Sequence, residues 1–358
     1  MAYRSMWLET TTRCNLKCKT CGRSHGGEDM PLDLFTKIAD DCFPHIEEVN
    51  ITGLGEPTAT KHFDEMCSIV LNKYRKRISL ISNGMLLNRN DDLLNILIND
   101  NVSLVLSIDG MGETYNTIRQ GASWSSMLEL LEKIKIRREK KNSFSLGLNF
   151  VLCKENKSEL LDIVKKAALD WSFDHFCLIM MQPWHGNDRY YQYSSPIHFK
   201  REANDLIDEI GKMAENFKMR VMLPSKFTET EEMGKRNGLG QISMYIRDVP
   251  VRAFFKYPMF FYYRHRSLYR LLYRIRRFPR LRCSVPFDML YFKVNGDVTP
   301  CCGLQNHILG SVKNSSILEV LEGKPYEALT RNMAYKYLPA ECFRCNLPIG
   351  IYKGNPDM

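Results

Sequence analysis

Three thiols fall close together near the start of the chain: Cys14, Cys18 and Cys21, in the stretch TTRCNLKCKTC spanning residues 11–21. One loop can present thiolates at this C-x3-C-x2-C spacing to a single metal centre. Zinc sites and complete iron–sulfur sites usually take four protein ligands. No further cysteine follows until Cys42, so the fourth position is left to something else. A second set lies near the end of the chain: Cys283, Cys301, Cys302 and the C-x2-C pair Cys342 and Cys345. C-x2-C suits an iron–sulfur cluster or a four-cysteine zinc site. The other four cysteines, Cys42, Cys67, Cys153 and Cys177, are scattered.

The N-terminal stretch MAYRSMWLETTTRC lacks an uninterrupted apolar region and a small-residue cleavage site, which predicts a cytoplasmic protein. Twelve cysteines there indicate metal ligation or redox chemistry rather than a disulfide framework. No apolar run approaches the roughly 20 residues that a membrane span needs. With 44% hydrophobic and 25% charged residues the composition is that of a folded chain, and 358 residues suggest more than one unit.

The elements that must carry these thiols can be read from short apolar or β-branched runs: SMWLETTT, EEVNITG, RISLISNG, VSLVLSIDG, FSLGLNFVLC and HFCLIMMQP. Between them lie helical patterns such as LDLFTKIADDC, SWSSMLELLEKIKIRREK and KSELLDIVKKAALDW. Strands alternating with helices predict an α/β fold with a parallel sheet, a partial (β/α)6 TIM-like barrel over residues 1–196. In such folds the reactive groups sit at the carboxyl ends of strands. There the sequence places the cysteines, then Gly53-Leu54-Gly55-Glu56-Pro57, then Ser82-Asn83-Gly84, then Ser107-Ile108-Asp109-Gly110. Residues 197–282 read as a helical linker and residues 283–358 as a small α+β unit, with a hairpin turning at Asn295-Gly296.

The opening motif on a loop after the first strand resembles the signature of the radical S-adenosylmethionine (SAM) enzymes. The resemblance implies that Cys14, Cys18 and Cys21 hold three irons of a [4Fe–4S] cluster, and that SAM fills the open fourth place. It further implies SAM contacts from Gly53, Gly55, Glu56 and Pro57, which look like the family's GGEP element, and from Ser82, Asn83, Ser107 and Asp109. Asn149, at the mouth of the barrel, joins them as a candidate. The position before the third cysteine, often aromatic in the family, is Thr20. The C-terminal set resembles the SPASM domain in its shorter twitch form. That implies one auxiliary [4Fe–4S] cluster held by Cys283, Cys301, Cys342 and Cys345, with Cys302 able to replace Cys301.

For chemistry after hydrogen abstraction, Cys153 is a candidate hydrogen donor, and Asn149, Gln182, His185 and Asp188 are candidates for polar or acid–base work. His185 alone of these titrates near neutral pH unperturbed. The expected reaction is oxidation of a small-molecule or glycosyl substrate of anionic character, with the auxiliary cluster as electron acceptor. An external donor such as flavodoxin or ferredoxin would supply electrons. Redox-neutral epimerisation, peptide maturation and a non-catalytic iron–sulfur or zinc scaffold are the alternatives. The short stretch ahead of Cys14 weighs against a peptide substrate in this reading.

Residues 252–282 contain ten Lys or Arg, ten Phe or Tyr and no acid, whereas the whole chain is +9, so the basicity is local. Leu268, Leu271, Leu272 and Ile275 form an apolar stripe flanked by Arg266, Arg270, Arg274 and Arg277. Such a helix can pack on the barrel, lie peripherally on the inner face of a membrane, or grip a phosphorylated or other anionic, even lipid-linked, substrate. Nucleic acid is the disfavoured partner.

Overall fold

A computed structural model describes residues 5–22, 27–139, 144–181, 187–224, 226–227 and 289–334. Six parallel strands form its centre: β1 (Ser5–Leu8), β2 (Glu48–Ile51), β3 (Arg77–Ser82), β4 (Val102–Ser107), β5 (Ser145–Leu152) and β6 (His175–Met180). They lie in chain order, as successive right-handed crossovers require. The crossovers carry α1 (Leu32–Cys42), α2 (Phe63–Ser68), α3 (Asp91–Leu97), the pair α4 (Gly112–Ile118) and α5 (Trp124–Arg138), and α6 (Leu160–Leu169). The expected α/β partial barrel is the observed architecture.

Strand alternation separates the two faces of the sheet. Met6, Leu8, Val49, Ile51, Leu80, Leu104, Leu148, Phe150 and Phe176 are buried with Phe35 and Ile38 of α1, Leu94 of α3, Leu130 of α5 and Ile163 of α6 in one continuous core. The opposite, concave face carries Trp7, Asn50, Ser79, Ser103, Ser107, Ser145, Asn149 and His175, all half-buried. A sheet whose outer face is apolar and whose inner face is largely polar leaves its lumen to be completed by polar contents.

Helix ends follow local chemistry. The Asn90 side chain accepts from Leu93 N–H at 3.0 Å to start α3, and Ser123 caps α5 through Ser126 N–H. After β2 the crossover runs through α2 and continues in a π-turn at Ile69–Lys73.

The sheet does not stop at six strands. Beyond β6, α7 (Asp188–Ser194) and α8 (Lys200–Asn216) lead to β7 (Arg220–Met222), parallel to β6. On the other edge β8 (Met289–Phe292) pairs in parallel with β1, in the register Ser5↔Met289 to Leu8↔Phe292. Then β9 (Asp297–Thr299) and β10 (Gly310–Ser311) continue antiparallel, giving ten strands in the order β10-β9-β8-β1-β2-β3-β4-β5-β6-β7. All four β8 residues are buried, as suits an interior strand. The hairpin turns as expected at Asn295-Gly296, where Gly296 has φ +86. Two helices follow, α9 (Ile317–Glu322), closed by a Ser316–Glu319 capping box, and α10 (Lys324–Ala334). Among the described residues no helix is long and apolar enough to cross a membrane.

Candidate active site

The cysteine loop is pinned at its base and at its tip. At the base, Thr11 and Asp29 form a β-bridge, Thr12 N–H donates to Glu28 O at 2.9 Å, and Asp29 accepts from Thr11 Oγ1 and from Arg13 Nε. Leu16, 1% exposed, anchors the loop in the core, leaving Cys14 and Cys18 half-buried and Cys21 exposed. Lys17 and Lys19 N–H donate to the carbonyls of Gln120 and Ile118, both at 2.8 Å. Asn187, at the start of α7, donates to Thr20 O at 2.8 Å. Each end of the loop is thus fixed by a different crossover while the thiol groups stay accessible.

The turn after β2 lies against this loop. A β-carbon at Gly55 would come within 2.4 Å of Thr11 O and 2.5 Å of Arg13 O, and one at Gly53 within 2.6 Å of Glu9 Cγ. The glycines therefore permit close approach, but the approach is to the cysteine loop and to Glu9. Glu56 N–H donates to Arg13 O at 2.7 Å. The Glu56 carboxylate, 3% exposed, accepts from Thr58 Oγ1 and Ser82 Oγ at 2.7 Å and from Asn83 N–H at 2.7 Å. Burial pushes its carboxyl upward and these donors pull it back. Glu56 ties the turn to the end of β3, with Pro57 buried beside it. Asn83 in turn donates to Asn15 Oδ1 at 2.9 Å and approaches Cys14 Sγ at 3.8 Å. Ser82 and Asn83 are 1% and 5% exposed, and both bond within this framework.

Asp109, expected as a SAM contact, has no exposed surface. Its Oδ1 accepts from Val151 N–H at 2.7 Å, and its Oδ2 lies 2.8 Å from Arg119 Nη2. Ser107, Asn149 and Cys177 are in register on adjacent strands, the first two half-buried on the concave face. Cys153, the candidate hydrogen donor, is fully buried with Ile118 and Met181, its Sγ 3.7 Å from Tyr190 Oη, and burial pushes its thiol up to about 12. Asp188 is exposed at the first turn of α7. Gln182, His185, Cys283, Cys342, Cys345 and residues 252–282 lie outside the described residues.

The C-terminal hairpin reaches the same region. Glu9, 2% exposed, accepts at Oε1 from Leu54 N–H and from Tyr291 Oη, each at 3.0 Å. Burial, reinforced by Glu9, holds the Tyr291 phenol well above its usual pKa and so keeps it a donor. Tyr291 pairs across the hairpin with Thr299, whose hydroxyl donates to Cys301 O at 3.3 Å. Cys301 is buried with Met289 and Leu304 against Trp7, and Cys302 is half-buried.

Cys14, Cys18 and Cys21 share one loop and suit the iron–sulfur cluster that their spacing implies, and none of the nine described cysteines is in a disulfide. In a cubane each thiolate takes its own iron. Burial pushes the Cys18 thiol up to about 11, and Arg119 is the largest influence in the opposite direction.

Arg119 and α4 escaped the sequence reading because nothing local to IRQG marks a buried ion pair. Residues 8–167 match the Radical SAM superfamily, and residues 283–346 match SPASM, an iron–sulfur cluster-binding domain. The tungsten-containing aldehyde ferredoxin oxidoreductase cofactor-modifying protein of Pyrococcus furiosus is 29% identical over 243 residues, 64% of this chain and 64% of its own length. The sporulation killing factor maturation protein SkfB of Bacillus subtilis is 25% identical over 170 residues, 46% of this chain and 39% of its own. The chain thus spans less than two thirds of these relatives. Streptococcus suis SuiB superposes with a TM-score of 0.63 at 15% identity, covering 92% of this chain and 68% of that one, a likeness of fold. Two domain matches, in the order in which the two cysteine sets occur, give the chain a radical SAM domain followed by a SPASM domain, and these imply SAM, a [4Fe–4S] cluster and auxiliary iron–sulfur as its cofactors.

Proposed function

We propose that the protein abstracts hydrogen from a polar, carbohydrate-like or anionic substrate and oxidises the carbon so activated. When bound, the cluster and SAM supply a 5′-deoxyadenosyl radical, and the auxiliary cluster supplies an acceptor for the electron the substrate gives up. The observation that carries this reading is the bridge at Glu9: one carboxylate oxygen holds both the Leu54 turn and Tyr291 of the hairpin leading to Cys301. An oxidative reaction needs an electron acceptor, and an auxiliary centre tied this closely to the SAM turn can serve as one.

The chain's own residues have defined parts in it. Cys14, Cys18 and Cys21 hold the cluster, with Thr11, Asp29 and Asn187 fixing their loop. The turn Gly53–Pro57 offers backbone groups to SAM, and Glu56 fixes its path. Ser107 and Asn149 offer hydroxyl and amide groups from the concave face. Cys301 contributes to the auxiliary site, with Cys283, Cys342 and Cys345 as its remaining ligands. A flavodoxin or ferredoxin is the expected donor, and residues 252–282 are the expected contact with an anionic partner or membrane surface.

A second reading, peptide modification, is favoured by the likeness to SkfB, a protein named for maturation of the sporulation killing factor. The deciding experiment supplies anaerobically reconstituted protein with SAM, a reductant and separate panels of glycosyl compounds and peptides in deuterated water. Oxidation yields a glycosyl product lighter by two hydrogens. A product of unchanged formula carrying one carbon-bound deuterium would overturn the oxidative reading, and turnover confined to peptides would overturn the substrate class.

A further inference from the structure

Where β1 meets the C-terminal hairpin, a row of polar-tipped side chains crosses the concave face. Trp7 of β1 pairs in register with Tyr291 of β8, and Tyr291 pairs with Thr299 of β9. Paired residues point to the same side of a sheet, so the indole, the phenol and the hydroxyl are neighbours. The phenol and the hydroxyl are committed: Tyr291 Oη donates to Glu9 Oε1 at 3.0 Å, and Thr299 Oγ1 donates to Cys301 O at 3.3 Å.

Trp7 is the exception, for its Nε1 is buried and has no hydrogen-bond partner. An indole N–H can only donate, and burying it without an acceptor costs the full desolvation of the group. Asn50, in register with Trp7 on the β2 side, turns its amide nitrogen to Met6 O at 3.5 Å and does not partner the indole. What the indole does pack against is the cluster of Met289, Cys301 and Leu304. Leu304 is hydrocarbon and a thioether is a weak acceptor, whereas a metal-bound thiolate is an anion and accepts strongly. Cys301 lies within the stretch 283–346 that matches an iron–sulfur cluster-binding domain. An orphaned donor beside that thiol therefore fits an anionic cluster held there.

Reduction adds negative charge to a thiolate-held cluster, and a hydrogen bond to one of its sulfurs stabilises that charge. Such bonds are among the levers a protein has on cluster potential. We propose that the Trp7 indole N–H donates to the sulfur of Cys301, or to a cluster sulfide beside it, and raises the reduction potential of the auxiliary cluster. The proposal rests on the reading of Cys301 as a ligand of an electron-accepting cluster, and it deepens that reading, since a higher potential makes the cluster a readier acceptor. It also gives β1 two tasks: the strand that leads into the loop of Cys14, Cys18 and Cys21 carries, on its concave face, the donor to the other centre.

The test uses the anaerobically reconstituted full chain with Cys14→Ala/Cys18→Ala/Cys21→Ala, which leaves the auxiliary cluster alone to be read. Tryptophan labelled with heavy nitrogen in the indole ring is incorporated, and the reduced cluster is studied by pulsed electron paramagnetic resonance and by redox titration. The expected result is a coupling between the cluster spin and an indole nitrogen that disappears in Trp7→Phe, together with a lower midpoint in Trp7→Phe at equal iron content. No coupling in the parent overturns the proposal, as does a coupling that survives in Trp7→Phe or a midpoint that does not move. Where Trp7→Phe fails to assemble the cluster, the coupling in the parent decides: its presence supports the proposal and its absence overturns it. The ligand reading is tested apart, by iron content. A Cys301→Ala variant that keeps about four irons in this background removes Cys301 as a ligand and the proposal with it. Loss of that iron, with no indole coupling in the parent, leaves the ligand reading standing and overturns the role of Trp7 alone.

Discussion

The imidazole of His175 fills the space that a side chain at residue 147 would need: a β-carbon on Gly147 would lie 1.9 Å from His175 Nε2. The two residues are direct partners on β5 and β6. Gly147→Ala must push the ring aside, at a cost of about 1–3 kcal/mol typical of overpacking. His175→Ala should relieve most of that penalty. A double-mutant cycle by urea denaturation of the apo chain measures the coupling, and additive effects would show that the ring moves freely.

His175 also sets a pH dependence. Burial lowers its pKa from 6.5, with the neighbouring Arg220 acting in the same direction and Asp174 opposing. The folded state then binds fewer protons than the unfolded state below 6.5, so this contribution is fully present above 6.5 and is lost as pH falls through that value toward the folded pKa. His175→Gln should flatten the slope of stability against pH in that window. An equal slope in both proteins would assign it to other groups.

Tyr291→Phe removes one donor from a buried carboxylate and little else. A hydrogen bond to a charged group is worth about 1.5–3 kcal/mol, so the urea midpoint should fall accordingly. The Glu9→Gln variant should show a comparable loss, and combining the two should cost less than their sum. Full additivity would mean that the two residues act separately.

Anaerobic reconstitution should give about eight irons per chain, four for each of two [4Fe–4S] clusters. The triple alanine variant at Cys14, Cys18 and Cys21 should retain about four and lose SAM cleavage. Zinc in the C-terminal site of an anaerobically purified sample would contradict the auxiliary assignment.

Residues 252–282, with ten basic residues and no acid, should bind anionic vesicles at low salt and release them as salt rises. Co-sedimentation with phosphatidylserine vesicles, compared with neutral ones, reads this directly. Equal or absent binding to both removes the membrane as partner.

Much of the barrel was legible because each strand buries one face and each crossover helix one stripe. LDLFTKIADDC shows it well: Phe35, Ile38, Ala39 and Cys42 recur at helical spacing, and the helix spans Leu32–Cys42 as read. The pairing of β8 with β1 was not legible, since it joins segments at opposite ends of the chain and no local signal encodes a parallel partner. The glycines after β2 read as SAM contacts, and the structure adds a close approach to the cysteine loop and to Glu9. Asp109 read as a polar strand end because its partner Arg119, ten residues on, looks in sequence like any surface arginine. The cysteine spacing needed no tertiary information, because all three thiols share one loop.

The parallel pairing of β1 with β8 also constrains how the chain acquires its structure. After β2 and β3 have been made, β1 has one neighbour, yet its other edge waits for residues 289–292, the far end of a long sequence separation. Contacts that distant are slow to form, and an unpaired strand edge is a template for other chains. The N-terminal half on a ribosome therefore passes through an interval with Trp7 and the open edge of β1 uncovered, before the C-terminal hairpin arrives to seal them.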